Sequence, residues 1–155
     1  MYPHTKEEKT IKPKFVTLTF RENITDIEKA NNHLTNFIKR LNYKVFETKK
    51  SKLAYTAVIE FQKRGAVHYH VIFYNLNWIK KADLMSVWSH GFVKINEIDH
   101  VDNIGAYVSK YLTKESLDED RLNNKKRYFS SRGLFRPVQV RDSTSVSDLR
   151  YLLSS

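Results

Sequence analysis

Residues 55–62 and 67–74 both have the composition of strands, and only Lys63-Arg64-Gly65-Ala66 separates them. A link that short joins neighbouring antiparallel strands, so this stretch is predicted to form a β-hairpin with Gly65 at a turn position of positive φ. The rest of the chain must then be arranged about an antiparallel sheet. Residues 15–20, Phe-Val-Thr-Leu-Thr-Phe, alternate as a strand does, with Val16, Leu18 and Phe20 on one face and Thr17 and Thr19 on the other.

Thr25 and Glu28 have capping-box spacing and open a predicted helix. Ile27, Ala30, Leu34, Phe37, Ile38 and Leu41 recur on one face of it, so this helix covers the sheet. A shorter helix is expected around residues 80–88, ended by His90-Gly91, then a strand over 92–98 and a helix over 102–114 with Asp102 or Asn103 near its cap. Residues 136–140, Arg-Pro-Val-Gln-Val, read as an edge strand, where proline is tolerated. The fold class expected is α+β: an antiparallel sheet of about five strands with packed helices.

The 155 residues make one ordinary domain, and 41% hydrophobic residues suffice for its core. A net charge of +10 makes a polyanion the natural partner. The chain has no cysteine, which excludes disulfides and thiolate metal sites. Any metal must be held by histidine, carboxylate, amide or water. No apolar run approaches the ~20 residues of a membrane span, and the N-terminus lacks a signal-peptide pattern. A cytoplasmic location in a bacterial or archaeal host cell is expected.

The most informative stretch is residues 59–73, Ile-Glu-Phe-Gln-Lys-Arg-Gly-Ala-Val-His-Tyr-His-Val-Ile-Phe. Residues two apart in a strand point the same way, so His68 and His70 share a face, as do Glu60 and Gln62 on the partner strand. If the hairpin sets Glu60 opposite His68 or His70, one carboxylate and two imidazoles converge. That set leaves coordination positions open for a phosphate oxygen and water, which suits Mn²⁺ or Mg²⁺ polarising a phosphodiester better than a closed zinc site. Glu60, His68 and His70 are the candidate metal ligands, and Gln62 is a weaker fourth. The plainer account makes the histidines half-exposed partners of backbone carbonyls; the facing carboxylate argues against it. His33, His90 and His100 are declined, because His33 falls in a helix and the other two have no paired partner in the sequence.

Residues 106–114, Ala-Tyr-Val-Ser-Lys-Tyr-Leu-Thr-Lys, contain Tyr-x-x-Lys twice in succession. At about 100° per residue, Tyr107 and Tyr111 lie one turn apart on one face of a helix, and Lys110 and Lys114 fall on the same stripe. Val101, Ile104, Val108 and Leu112 form a separate apolar stripe. A phenol with a pKa of about 10 is a poor nucleophile at neutral pH, and neighbouring ammonium groups favour its phenolate.

His68-Tyr69-His70 resembles the His-hydrophobic-His signature of the HUH endonucleases, and Glu60 stands where their replication initiators place an upstream acidic ligand. The doubled tyrosine–lysine repeat resembles that of the gene A-type phage replication initiators. Residues 15–20 are similar to that family's first motif, and residues 62–65 before the histidines are also typical of it. The motifs occur in family order over residues 15–114; jointly they are specific, though each alone is not.

The resemblance implies a ferredoxin-like or RNA-recognition-like core with a metal on the sheet. It also implies a tyrosine that nicks single-stranded DNA at a replication origin, including one presented as a hairpin. The products are a 5′-phosphotyrosine link and a free 3′-hydroxyl for the host replication machinery. On this reading residues 1–13 are a basic arm, 14–114 the HUH endonuclease core, and 115–155 a C-terminal basic extension of the same domain. Tyr107, early in its helix, is the first choice of nucleophile; Tyr111 is a second nucleophile or a positioning group. Lys110, and more weakly Lys114, contact the phosphate or steady the phenolate.

Three other readings share some of these features. They are a tyrosine transposase or relaxase of the same superfamily, a non-catalytic single-stranded nucleic-acid-binding module, and a metal-dependent nuclease that uses water. Trp78 and Trp88 are candidates for base stacking in any of them, against a plainer place in the core or at its edge.

Overall fold

The hairpin forms as its spacing predicts. In the computed structural model, which describes residues 11–97, Ala106 and residues 128–131, β2 (Tyr55–Phe61) and β3 (Val67–Phe73) pair antiparallel. The turn closes through two backbone bonds, Gln62 N–H to Ala66 O and Gly65 N–H to Gln62 O, both 2.8 Å. Gly65 sits at φ 84°, where a Cβ would be strained.

The remaining described elements are β1 (Lys14–Thr19), α1 (Ile27–Phe46), α2 (Lys81–Trp88), β4 (Val93–Glu97) and β5 (Tyr128–Ser130). The sheet has five strands in the order β4-β1-β3-β2-β5, and every neighbouring pair is antiparallel. The first six elements therefore run β-α-β-β-α-β, the split arrangement of ferredoxin-like folds, with β1 and β3 in the centre. The α+β class expected from the sequence is the class observed.

Both helices contribute to the core on one face of the sheet. Val16 and Leu18 of β1, Ala57 and Ile59 of β2, and Tyr69, Val71 and Phe73 of β3 are almost fully buried there. They meet Leu34, Phe37 and Leu41 of α1 and Leu84 and Trp88 of α2. The Phe37 ring lies edge-on to Trp88 at 5.4 Å and to Phe73 at 6.5 Å. Each large side chain so buried stabilises the fold by roughly 1.5–3 kcal/mol. The strand alternation decides which residues do this, and it leaves the other face of the hairpin for His68 and His70.

Three local details differ from the sequence-based expectations. The cap of α1 is Asp26, one residue later than Thr25: its carboxylate accepts from the Glu28 and Lys29 N–H groups at 3.0 and 3.2 Å. A full negative charge at the positive end of a helix dipole makes it the stronger cap. The end of α2 is Ser89, held left-handed at φ 60°, and His90-Gly91 lies beyond it. Gly91 is instead required by close approach, because a Cβ there would lie 2.2 Å from Thr19 O. The fifth strand is Tyr128–Ser130, paired with β2. The strand expected at 136–140 lies outside the described residues, as does the helix expected at 102–114 apart from Ala106, which is helical.

The α1–β2 connection is organised by a residue the sequence did not flag. Asn42 is buried, and its amide makes four bonds, from Nδ2 to Thr48 O and Lys50 O and to Oδ1 from the Lys52 and Leu53 N–H groups. One side chain thus satisfies a turn that would otherwise leave polar backbone groups unpaired near the core.

Candidate metal centre

On the face of the sheet opposite the helices, β3 presents His68 and His70, while Tyr69 between them points into the core. Glu60 is the direct partner of His68 in the β2–β3 register, and Val58 is the partner of His70. The Glu60 carboxylate nevertheless reaches diagonally, with Oε2 2.7 Å from His70 Nε2. The two imidazole centroids are 5.0 Å apart and their planes are inclined by 62°. The sequence left open which histidine Glu60 would face. The register selects His68, and the hydrogen bond goes to His70.

Glu60, His68 and His70 each offer one ligand atom, and these atoms lie within 4.8 Å of one another. Opposite donors of an ion with bonds of about 2.1 Å stand about 4.2 Å apart, so little movement would bring the three onto one cation. His70 is buried and Glu60 and His68 are partly buried, so the donors are desolvated on the sheet side and open on the other. Two imidazoles and a carboxylate without thiolate fit a divalent cation that keeps open positions. Among the described residues no other group of three such side chains converges.

The third side of the site comes from β1, which the sequence reading had not assigned to it. Thr17 is the register partner of His70, and its Oγ1 lies 3.2 Å from His70 Nδ1. Phe15, buried on the same face, stands 5.9 Å from the His70 ring. The signal was present in the alternation of residues 15–20, which sets Thr17 and Thr19 away from the core; the strand order needed to bring them beside the histidines was not.

Gln62, the weaker ligand candidate, accepts a bond from Arg64 Nε at 3.1 Å, and Arg64 Nη2 also donates to Phe20 O at 2.8 Å. These contacts tie the hairpin turn to the end of β1. His33 and His90, declined as ligands, do meet, with ring centroids 4.0 Å apart beside Phe20 on the helix side. Burial pushes the His90 pKa down, with His33 and Arg40 adding to the effect and Glu22 opposing it. Trp88 is fully buried and Trp78 is exposed.

Three described tyrosines are poor nucleophiles. Burial pushes the phenols of Tyr55, Tyr69 and Tyr74 up, a hydrogen bond with Thr56 partly offsetting this at Tyr74. Tyr69, whose hydroxyl donates to Asn31 Oδ1 at 2.5 Å, is a core residue despite its place between the two histidines. Tyr107, Lys110, Tyr111 and Lys114 lie outside the described residues.

Compared with models of known protein families, residues 13–116 match the replication-associated protein family named for ORF2 and the gene 2 protein. That interval contains the strands of the histidine site, and Tyr107 and Tyr111 as well. No curated protein and no solved structure matches the chain.

Proposed function

The chain belongs to this family of replication-associated proteins, and from that premise we propose that it is a rolling-circle replication initiator that nicks and rejoins single-stranded DNA. The observation that carries this reading is the convergence of Glu60, His68 and His70 on one open face of the sheet. A divalent cation there, Mn²⁺ or Mg²⁺, would supply Lewis-acid stabilisation of charge on a phosphodiester. Glu60 and the two imidazoles would hold it, and Thr17 would fix the orientation of His70. The sheet floor of Phe15, Val58 and Ile72, all buried on this face, limits water behind the site.

In this reading Tyr107 is the nucleophile. Its phenol loses a proton, its oxygen attacks phosphorus, and the bond to the 3′-oxygen breaks. The DNA 5′-phosphate is then carried on tyrosine, and the departing 3′-oxygen takes up a proton. Lys110 favours the phenolate by placing an ammonium one turn position away, Lys114 does so more weakly, and Tyr111 serves the reverse transfer. The partners are single-stranded origin DNA and the host machinery that extends the 3′-hydroxyl.

The deciding experiment is covalent capture. The protein is incubated with a pool of single-stranded oligonucleotides and Mn²⁺ and run on a denaturing gel. A slower protein band is expected, dependent on the metal and lost in His68→Ala and in the Tyr107→Phe, Tyr111→Phe double variant. An adduct formed by that double variant would overturn the tyrosine assignment. Cleavage without an adduct would replace it with a water-using nuclease.

A further inference from the structure

The face that carries the histidines extends across the whole sheet, and its two edges bear exposed aromatic rings. Thr19 is the register partner of His68, and its N–H donates to Phe92 O at 3.0 Å. That bond extends the β1–β4 ladder by one residue beyond Leu18–Val93, so Phe92, Thr19, His68 and Glu60 form one row. Val93 is 2% exposed and Ile95 packs against the core, whereas Phe92, Lys94 and Asn96 alternate with them and are exposed. Phe92 is 68% exposed.

The next row runs Lys94, Thr17, His70, Val58, Tyr128. Tyr128 is 41% exposed and occupies the opposite edge. Each ring stands two strand spacings, about 10 Å, from the nearer histidine. The other exposed large aromatics do not share this relation. Trp78 follows the far end of β3, and Tyr43 belongs to α1 on the other side of the sheet.

We propose that Phe92 and Tyr128 are stacking platforms for two unpaired bases of a single DNA strand that crosses the sheet, with the phosphate between them over the histidines. Aromatic faces bind bases without regard to sequence, and an ammonium beside them takes the backbone charge. Lys94, two residues from Phe92 on the same face, is that ammonium. The net charge of +10 favours this polyanionic occupant over an apolar protein surface. The proposal rests on the reading of the protein as a single-strand nickase and adds the path of the strand.

The test uses the full chain and two labelled probes of equal length and charge, an oligothymidylate and the corresponding abasic deoxyribose-phosphate chain. Binding is followed by fluorescence anisotropy. Wild type is expected to prefer the thymidylate. Phe92→Ala and Tyr128→Ala should each shrink that preference at least about fivefold, the low end of a base–aromatic stack. Phe92→Trp and Tyr128→Phe should keep it, and Phe92→Leu should not. Lys94→Ala should leave the preference intact and make binding less salt-dependent.

Equal binding of the two probes by wild type would overturn the platforms while leaving the nickase reading in place. An unchanged preference in either alanine variant, with its thermal midpoint preserved, would overturn the path across the sheet. Self-association lost in Phe92→Ala without a change in preference would make this edge a protein interface instead. Binding of neither probe by wild type would remove the nickase reading itself.

Discussion

Thr17 and His70 face each other across the β1–β3 ladder, with Thr17 Oγ1 3.2 Å from His70 Nδ1, while Nε2 of the same ring lies 2.7 Å from Glu60 Oε2. The imidazole is held at both nitrogens. A hydroxyl can donate or accept by rotating, so Thr17 can remain bonded whichever nitrogen carries the proton. A ring that gives Nε2 to a cation must donate from Nδ1, and the threonine oxygen is placed to accept. Thr17→Val is expected to weaken Mn²⁺ binding by about 10–100-fold, and Thr17→Ser to retain it. Titration calorimetry reads both; equal affinity in the valine variant would remove Thr17 from the site.

Ion binding should also register as stability. At an Mn²⁺ concentration about 100 times the dissociation constant, the folded state gains about 2.7 kcal/mol. For a domain of this size that is a rise of roughly 5–10 °C in the thermal midpoint. A chelator should reverse it, and His68→Ala or His70→Ala should abolish it. A rise that persists in both variants would place the cation elsewhere.

The His33–His90 contact sets a pH dependence. His90 has a lower pKa folded than unfolded, because burial, then His33 and Arg40, disfavour its charged form. The unfolded chain therefore binds more protons as pH falls through the ordinary histidine value of 6.5. This contribution to stability is complete above that value and is lost as pH falls through it toward the depressed folded value. The urea midpoint is expected to fall on acidification, and less steeply in His90→Gln and in His33→Gln. An unchanged slope in His90→Gln would assign the acid sensitivity to other groups.

At Gly91 the constraint is space. A Cβ would lie 2.2 Å from Thr19 O, 2.6 Å from Arg21 N and 3.0 Å from Phe20 C, all backbone atoms with little freedom to yield. Gly91→Ala is expected to cost at least about 2 kcal/mol, within the range for forced overpacking, and to lower the urea midpoint accordingly. A wild-type midpoint would mean that the backbone there can part without penalty.

Much of this architecture was legible because period and spacing carry it. The four-residue link at residues 63–66 dictates a hairpin, and alternation then sends His68 and His70 to one face with Glu60. What could not be read was anything set by strand order. Nothing local says that β1 rather than β2 lies on the far side of β3, so Thr17 beside His70 and Phe92 in the row of His68 become visible only in the sheet. Competition between adjacent residues was also opaque: Thr25 and Asp26 can both cap α1, and the carboxylate wins by charge. Asn42 looks like any helix-surface amide until the turn it satisfies is seen.

Ten residues separate Glu60 from His70, and a single hairpin supplies all three donors. A slip of β3 against β2 by one residue would turn Tyr69 outward and drive both histidines into the core. Only the native ladder brings the three donors together, so a cation present during refolding would select that register among competing pairings. Added after folding, it would merely tighten a structure already chosen. Folding rates measured with and without Mn²⁺ should therefore differ more than the unfolding rates do if the hairpin forms before the rate-limiting step.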